Sequence, residues 1–383
     1  MEQQLAEELE ALLAAHRIRY VNAADLSVFR YRCGRGFVYR DAEGRAVRTA
    51  DDIRRFKSLA IPPAWKEVRL APEPAWHLQA LGCDALGRLQ RRYHDAWEMV
   101  RHADKLSRLK RFARALPRVR ARVMQDLSKP LSDPDALCAV AVRLIDLAHL
   151  RPGSEAALRE IGSRGATTLS PSNVSVEGDE VQLSFRGKSG MWIETAVKDQ
   201  LLSRRLARLK ETNRRRLFRI AHGGGSYDLS CADLNNYLQR ISGAAISAKD
   251  FRTYDATSTA LWRLAGEALP ASRHKQQRVL AEVSRLVSQR LHNTPSIARK
   301  SYIHPAVIEA WLAGEFENGA GERLRRAVRR SPLSSAPETA LRRFLAQHLP
   351  QAEPQEAAAS PATTRTATAK TAAAKSPAAK IAA

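Results

Sequence analysis

The sequence predicts an α+β chain in three parts. These are a small β-rich N-terminal domain over residues 1–98 that opens with a helix, a mainly α-helical domain over 99–350, and a disordered Ala/Lys/Pro/Thr-rich tail over 351–383. Three observations carry this. Between residues 26 and about 94, aromatic and β-branched residues alternate in short runs broken by Gly, Asp-Ala and Pro-Pro, the pattern of hairpins. After residue 95 the apolar spacing becomes helical. Beyond residue 350 there is almost nothing apolar to bury.

Taken in order, "MEQQLAEELEALLAAHRI" reads as an amphipathic helix with Leu5, Leu9, Leu12 and Leu13 on one face; being acidic, it is no signal peptide. In "GRLQRRYH" a period of two sets Leu89, Arg91 and Tyr93 on one side and Gln90 and Arg92 on the other. Such a strand, with Arg88 at its start, suits a DNA groove, and equally suits a solvated edge protected by charge. "DALCAVAVRLIDLAHL" (135–150) is apolar almost all round, hence a buried helix, and Arg151-Pro152-Gly153 stops it. The run from 174 to 197 alternates at Val181, Leu183 and Phe185, breaks at Gly187-Lys188-Ser189-Gly190 and resumes with Met191 and Ile193, a hairpin with Lys188 at its tip. Ser230 with Asp233, and Ser247 with Asp250, are capping-box signals; the second sets Lys249 and Arg252 in the first turns of a helix, where backbone N–H groups also face any bound anion. "QQRVLAEVSRLVSQRL" predicts another amphipathic helix. Asn293-Thr294-Pro295 then reads as cap and first position of a short helix that carries Tyr302 and ends at Pro305.

Charge narrows the partner. Lys+Arg number 63 against 40 Asp+Glu, a net +23, and the tail contributes little of it, so the folded part presents a field suited to polyanions, nucleic acid first among them. No apolar run approaches the roughly 20 residues of a spanning helix. Cys33, Cys83, Cys138 and Cys231 are scattered without CxxC pairs or nearby histidine at ligand spacing, which points to a reducing compartment and no metal site. "HGGGSYD" (222–228) lacks the Lys-Ser or Lys-Thr of a phosphate loop, so nothing suggests a nucleotide cofactor.

One stretch raises a chemical question. In "LHNTPSIARKSYIHP" (291–305) a tyrosine sits among His292, Arg299, Lys300 and His304. A phenol, ordinarily titrating near 10, attacks well only where its surroundings favour the phenolate, and cations do that. Cutting a phosphodiester with tyrosine further requires cations on the non-bridging oxygens and an acid for the departing alkoxide. Arginine suits the first task and lysine the second. Any one of these residues alone reads more readily as a solvated charge or a packed tyrosine.

Together they resemble the type IB DNA topoisomerases of the bacterial and poxvirus-like group, over roughly residues 25–320. The motifs are "LRPGSEAALREIGSRGATTLSPSNVSV", "FRGKSG", "SAKDFRTYDAT" and "NTPSIARKSYIHP". The resemblance implies a catalytic domain of the tyrosine recombinase/type IB topoisomerase fold, closing with the N-terminal domain around duplex DNA as a clamp. It implies that Arg151 and Arg252 hold the scissile phosphate, Lys188 is the general acid and Tyr302 the nucleophile, giving a 3′-phosphotyrosyl enzyme. Asn293 would donate a hydrogen bond where many relatives have histidine, and the neighbouring His292 offers a substitute. Lys249, Arg88, Gln90, Arg91 and Tyr93 would contact DNA. No metal, no nucleotide cofactor and no membrane are implied; the enzyme would be a monomer, cytoplasmic and nucleoid-associated. Trp76, Cys83 and Leu89-Gln90-Arg91 depart from the family pattern, which bears on site preference rather than on catalysis.

Two rival readings come from the same residues. A tyrosine recombinase or integrase shares the Arg, Lys, Arg and Tyr roles, but commonly has His-x-x-Arg where this chain reads Lys249-Asp250-Phe251-Arg252. A non-catalytic architectural DNA-binding protein would explain the charge and the tail, here read as a weak DNA tether, but has no use for a nucleophile with a full set of cations.

Overall fold

The computed structural model describes residues 2–222, 225–317, 322–326 and 336–347; the tail expected beyond residue 350 lies outside them. The chain forms two compact units divided between Leu106 and Ser107. That boundary falls inside one long helix, α3 (Ala96–Asp126). Among the described residues no helix is long and apolar enough to cross a membrane.

The first unit begins with α1 (Glu2–Ala15), whose Leu9, Leu12 and Leu13 pack with Ile18, Trp97 and Val100. Five antiparallel strands follow: β1 (Val28–Cys33), β2 (Gly36–Arg40), β3 (Lys66–Leu70), β4 (Leu78–Cys83) and β5 (Leu89–Tyr93), in the order β2-β1-β3-β4-β5. The sequence pattern anticipates these strands and misses α2 (Ala50–Ser58), whose charged surface contributes a single fully buried side chain, Phe56. Phe56 packs 4.9 Å from the Tyr39 ring, in a core with Val28, Val68, Leu70 and Ala80.

In the second unit α4 (Pro134–Ala148) is the buried helix that the sequence requires. Its stop comes earlier than Arg151-Pro152-Gly153, because His149 at its C-cap already turns left-handed (φ 52°). After α4 comes α5 (Glu155–Ile161), and packed against α4 are α6 (Gln200–Thr212), α7 (Cys231–Ser242) and α8 (Ala248–Gly266). Phe112 of α3 meets Phe251 edge-on at 4.8 Å and Tyr254 at 5.4 Å. The hairpin expected around Lys188 is part of a three-stranded sheet, β6 (Val174–Glu177), β7 (Glu180–Arg186) and β8 (Trp192–Lys198), with Phe185 opposite Ile193. A second hairpin, β9 (Arg219–His222) with β10 (Gly225–Asp228), precedes α7. The chain continues through α9 (Arg273–Arg290), the short α10 (Pro295–Ile297), α11 (Pro305–Leu312) and α12 (Ala336–Gln347), the last tied to α3 and α4 where Arg120 bridges Asp146 and Glu338.

Both capping boxes form. The Asp233 carboxylate accepts from Ser230 N–H and Oγ–H, and that of Asp250 from Ser247 N–H and Oγ–H. Around Tyr302 the cap stands as expected: Thr294 caps α10 ahead of Pro295, its hydroxyl accepting from Ile297 N–H. The far end needs correction. Pro305 does not end the helix of Tyr302 but opens α11, capped by His304, whose Nδ1 accepts from Ala306 N–H. Proline fits a first helical turn because its missing N–H would be unsatisfied there anyway.

Candidate active site

Tyr302 ends a π-helical turn, Ala298–Tyr302, that widens α10 after its first turn. The Ile303 N–H reaches back five residues to the Ala298 carbonyl at 3.0 Å. Such turns concentrate at functional sites because the wider ring re-aims the side chains it carries. The turn is anchored by Thr257 of α8, fully buried, whose hydroxyl donates to the Tyr302 carbonyl (3.1 Å) and accepts from His304 N–H (3.3 Å). The tyrosine is therefore fixed from its backbone outward.

The phenol is buried, 9% exposed. Burial pushes its pKa up, but the guanidiniums of Arg252 and Arg151, acting through charge and hydrogen bonding, outweigh that and leave it below the ordinary tyrosine value. The Arg252 guanidinium carbon lies 5.0 Å from the centre of the Tyr302 ring. The cations that act most strongly on the phenol thus come from segments about 50 and 150 residues away, whereas the sequence had suggested its neighbours. Lys300 is exposed, and His304 serves as the cap of α11.

Arg252 is almost fully buried, 1% exposed. Its Nη1 donates to the His149 carbonyl and its Nη2 to the Leu291 carbonyl at 2.8 Å, while its Nε is buried without a partner. Burial lowers its pKa, partly offset by the nearby phenol. Two carbonyls fix the plane of the fork without neutralising it, which leaves the full charge for an incoming anion.

Arg151 follows α4 by three residues and is half-buried. Its turn is clasped by residues 165–168. Ala166 N–H donates to the Arg151 carbonyl (2.8 Å), Thr167 N–H to the Pro152 carbonyl (2.7 Å), and Gly153 takes φ 106° against the hydroxyls of Thr167 and Thr168. Asn293 is 7% exposed, and both its Nδ2 and Oδ1 are buried without a hydrogen-bond partner. Buried amides are rarely left so, and the cost is borne where a ligand completes the set. His292, the substitute weighed for Asn293, is left-handed (φ 49°); burial lowers its pKa, and its ring hydrogen-bonds the Ala148 carbonyl.

Lys188 stands exposed at the turn between β7 and β8, with Ser189 and Gly190 both left-handed. Among the described residues its ammonium has no ion pair or hydrogen bond holding it, and it is not among the groups that act most strongly on the phenol. Lys249 is exposed on the first turn of α8. In the first unit, Arg88 and Gln90 are gathered by Asp84, at 2.9 and 3.0 Å; the Arg88 backbone N–H first, then the Arg88 side chain, the Leu86 N–H and Gln90, hold that carboxyl down at about 2. Tyr93 leans on Trp97 and His77 with centroids 6.0 Å from each, and Arg91 is exposed. Sequence reasoning missed Thr257 and the Arg290–Asp255 pair, because nothing local marks residues that work by bridging distant helices.

A buried tyrosine whose pKa two arginines lower, on a helical unit that follows an antiparallel sheet, is the setting in which the comparisons with known proteins fall. Residues 36–84 match the bacterial DNA topoisomerase IB N-terminal domain, and residues 95–315 match the family described as eukaryotic DNA topoisomerase I, catalytic core. By class the chain is a type IB DNA topoisomerase, an isomerase acting on DNA. By family it belongs to that of the eukaryotic DNA topoisomerase I catalytic core, with an N-terminal region of the bacterial kind. The chain is also similar to the DNA topoisomerase 1B of Acanthamoeba polyphaga mimivirus, with 25% identity over 292 residues, 74% of this chain and 87% of the relative.

Proposed function

We propose that this enzyme relaxes supercoiled duplex DNA by transient cleavage of one strand through a 3′-phosphotyrosyl intermediate, without ATP or metal. The observation that carries the reading is the Tyr302 phenol, buried and yet lowered in pKa by Arg252 and Arg151. In this scheme Tyr302 gives up its phenolic proton to solvent, the phenolate oxygen bonds to phosphorus as the bond to the 5′ oxygen breaks, and Lys188 protonates that leaving oxygen. Arg151, Arg252 and the unpartnered Asn293 amide hold the non-bridging oxygens as charge builds on them. Two guanidiniums supply the positive charge for which other phosphoryl-transfer sites use a metal. The phosphotyrosine bond keeps the energy of the phosphodiester, so religation is the reverse step and needs no nucleotide.

An exposed, untethered Lys188 suits a hairpin that engages the leaving group only once DNA is bound. Residues 1–98 would serve as a DNA clamp and 99–350 as the catalytic domain, with Lys249, Arg88, Gln90, Arg91 and Tyr93 against the duplex. The basic excess would hold the phosphates of a nucleoid duplex, and one copy carries the whole residue set. The test is relaxation of positively and negatively supercoiled plasmid in EDTA without ATP. Both signs should relax, and Tyr302→Phe should bind DNA but neither relax it nor form a covalent adduct. Relaxation by Tyr302→Phe would overturn the assignment.

A further inference from the structure

We infer that Asp255, Arg290 and His149 form a positioning network that aims Arg252 at the phosphate and keeps its charge unspent; the inference rests on the reading of Tyr302 and Arg252 just given. Arg252 takes its orientation from two carbonyls, those of His149 and Leu291. Each lies at a helix end where a residue with a side chain turns left-handed, His149 at φ 52° after α4 and His292 at φ 49° after α9. That conformation is unfavourable for such residues, so the aim of the two carbonyls has to be held from outside.

The holding groups are one cluster. Arg290, the last residue of α9, forks onto Asp255 with Nε at 3.2 Å and Nη2 at 2.7 Å. The same Nη2 lies 2.9 Å from His149 Nε2, and that nitrogen is 3.6 Å from Asp255 Oδ1. Beside it the His292 ring hydrogen-bonds the Ala148 carbonyl. The ends of α4 and α9 are thereby locked to α8 one turn beyond Arg252 itself. These are the helix ends that lead into Arg151 and Asn293.

The network has an electrostatic side too. Asp255 stands three residues from Arg252 on the same helix, within reach of its charge. Paired with Arg290, the carboxylate is neutralised. Freed of Arg290, it would compete with the phosphate for Arg252. A purely structural role for Arg290 makes the loss of Asp255 a second injury; the network makes it a relief.

The experiment is single-turnover cleavage of a nicked or suicide duplex at saturating protein, with Kd measured in parallel. Arg290→Gln should slow cleavage on the order of 100-fold, the scale set by misaligning a reacting group by about 1 Å, with Kd unchanged within about twofold. Adding Asp255→Asn should restore about tenfold of that rate. Arg290→Lys, which keeps a charge near Asp255 but loses the fork, should fall between wild type and Arg290→Gln; it serves as the test if Arg290→Gln melts early. Wild-type cleavage by Arg290→Gln, or a double variant slower than the single one, would overturn the network. Cleavage by Tyr302→Phe in the same assay would instead overturn the site reading beneath it.

Discussion

Gly165 offers the sharpest test of how Arg151 is held. A Cβ built on it would lie 2.6 Å from the Arg151 carbonyl oxygen, 2.6 Å from the Gly153 nitrogen and 2.7 Å from the Gly153 Cα, all backbone atoms. Ordinary contact begins at 3.4 Å, so Gly165→Ala must push the Arg151-Pro152-Gly153 turn away by about 0.8 Å, the difference between 2.6 and 3.4 Å. The turn cannot yield cheaply, because Ala166 N–H and Thr167 N–H grip its carbonyls from the neighbouring residues. Overpacking of this kind costs about 1–3 kcal/mol. For a unit this size that lowers Tm by roughly 2–4 °C per kcal/mol. The functional loss should be larger in proportion, since moving a reacting group by about 1 Å costs on the order of 100-fold in rate. Thermal melting and single-turnover cleavage of a suicide duplex check both. A folded Gly165→Ala protein that cleaves at the wild-type rate would refute the claim that this clasp sets the position of Arg151.

Because Arg151 and Arg252 lower the Tyr302 pKa against the effect of burial, Arg151→Ala should move the alkaline inflection of the cleavage rate to higher pH; a pH–rate profile with its inflection unchanged would count against this. His77, 4% exposed, stays neutral down to about 4 because burial lowers its pKa, and its Nδ1 accepts from Val21 N–H at 3.1 Å. The unfolded chain takes up that proton near 6.5, so stability should be intact above about 6.5 and fall by up to ~3 kcal/mol as pH drops to about 4. Urea denaturation across that range should show the loss, and His77→Asn should flatten it. Arg91→Ala, removing an exposed charge of β5, should weaken DNA binding uniformly across sequences and reduce the slope of log K against log salt by about 1. Its cleavage rate at saturation should be unchanged, and an unaltered salt slope would remove Arg91 from the DNA contacts.

Period and punctuation carried much of the fold. A strand's alternation and a helix's capping residues act within a few positions, so β1 to β5, α4, the turn at Lys188 and the boxes at Ser230 and Ser247 were all legible. α2 was not, since a helix with one buried side chain leaves almost no periodic trace. Nor was the role of Pro305, since a proline marks the stop of one helix or the first turn of the next equally well on paper. Which it does depends on the π-helical turn that ends at Tyr302 and on the His304 cap.

For the candidate site, sequence supplied the proposed members, a tyrosine, two arginines, a hairpin lysine and an amide, through motifs that resemble those of type IB topoisomerases. Tertiary structure alone decided what surrounds the tyrosine. The charges that lower its pKa belong to Arg151 and Arg252, and the carbonyls that aim Arg252 belong to His149 and Leu291. Thr257 fixes the turn that carries the phenol. The physical reason is range: capping and periodicity are local along the chain, whereas desolvation and Coulomb forces act through space and depend on which distant helix ends the packing brings together.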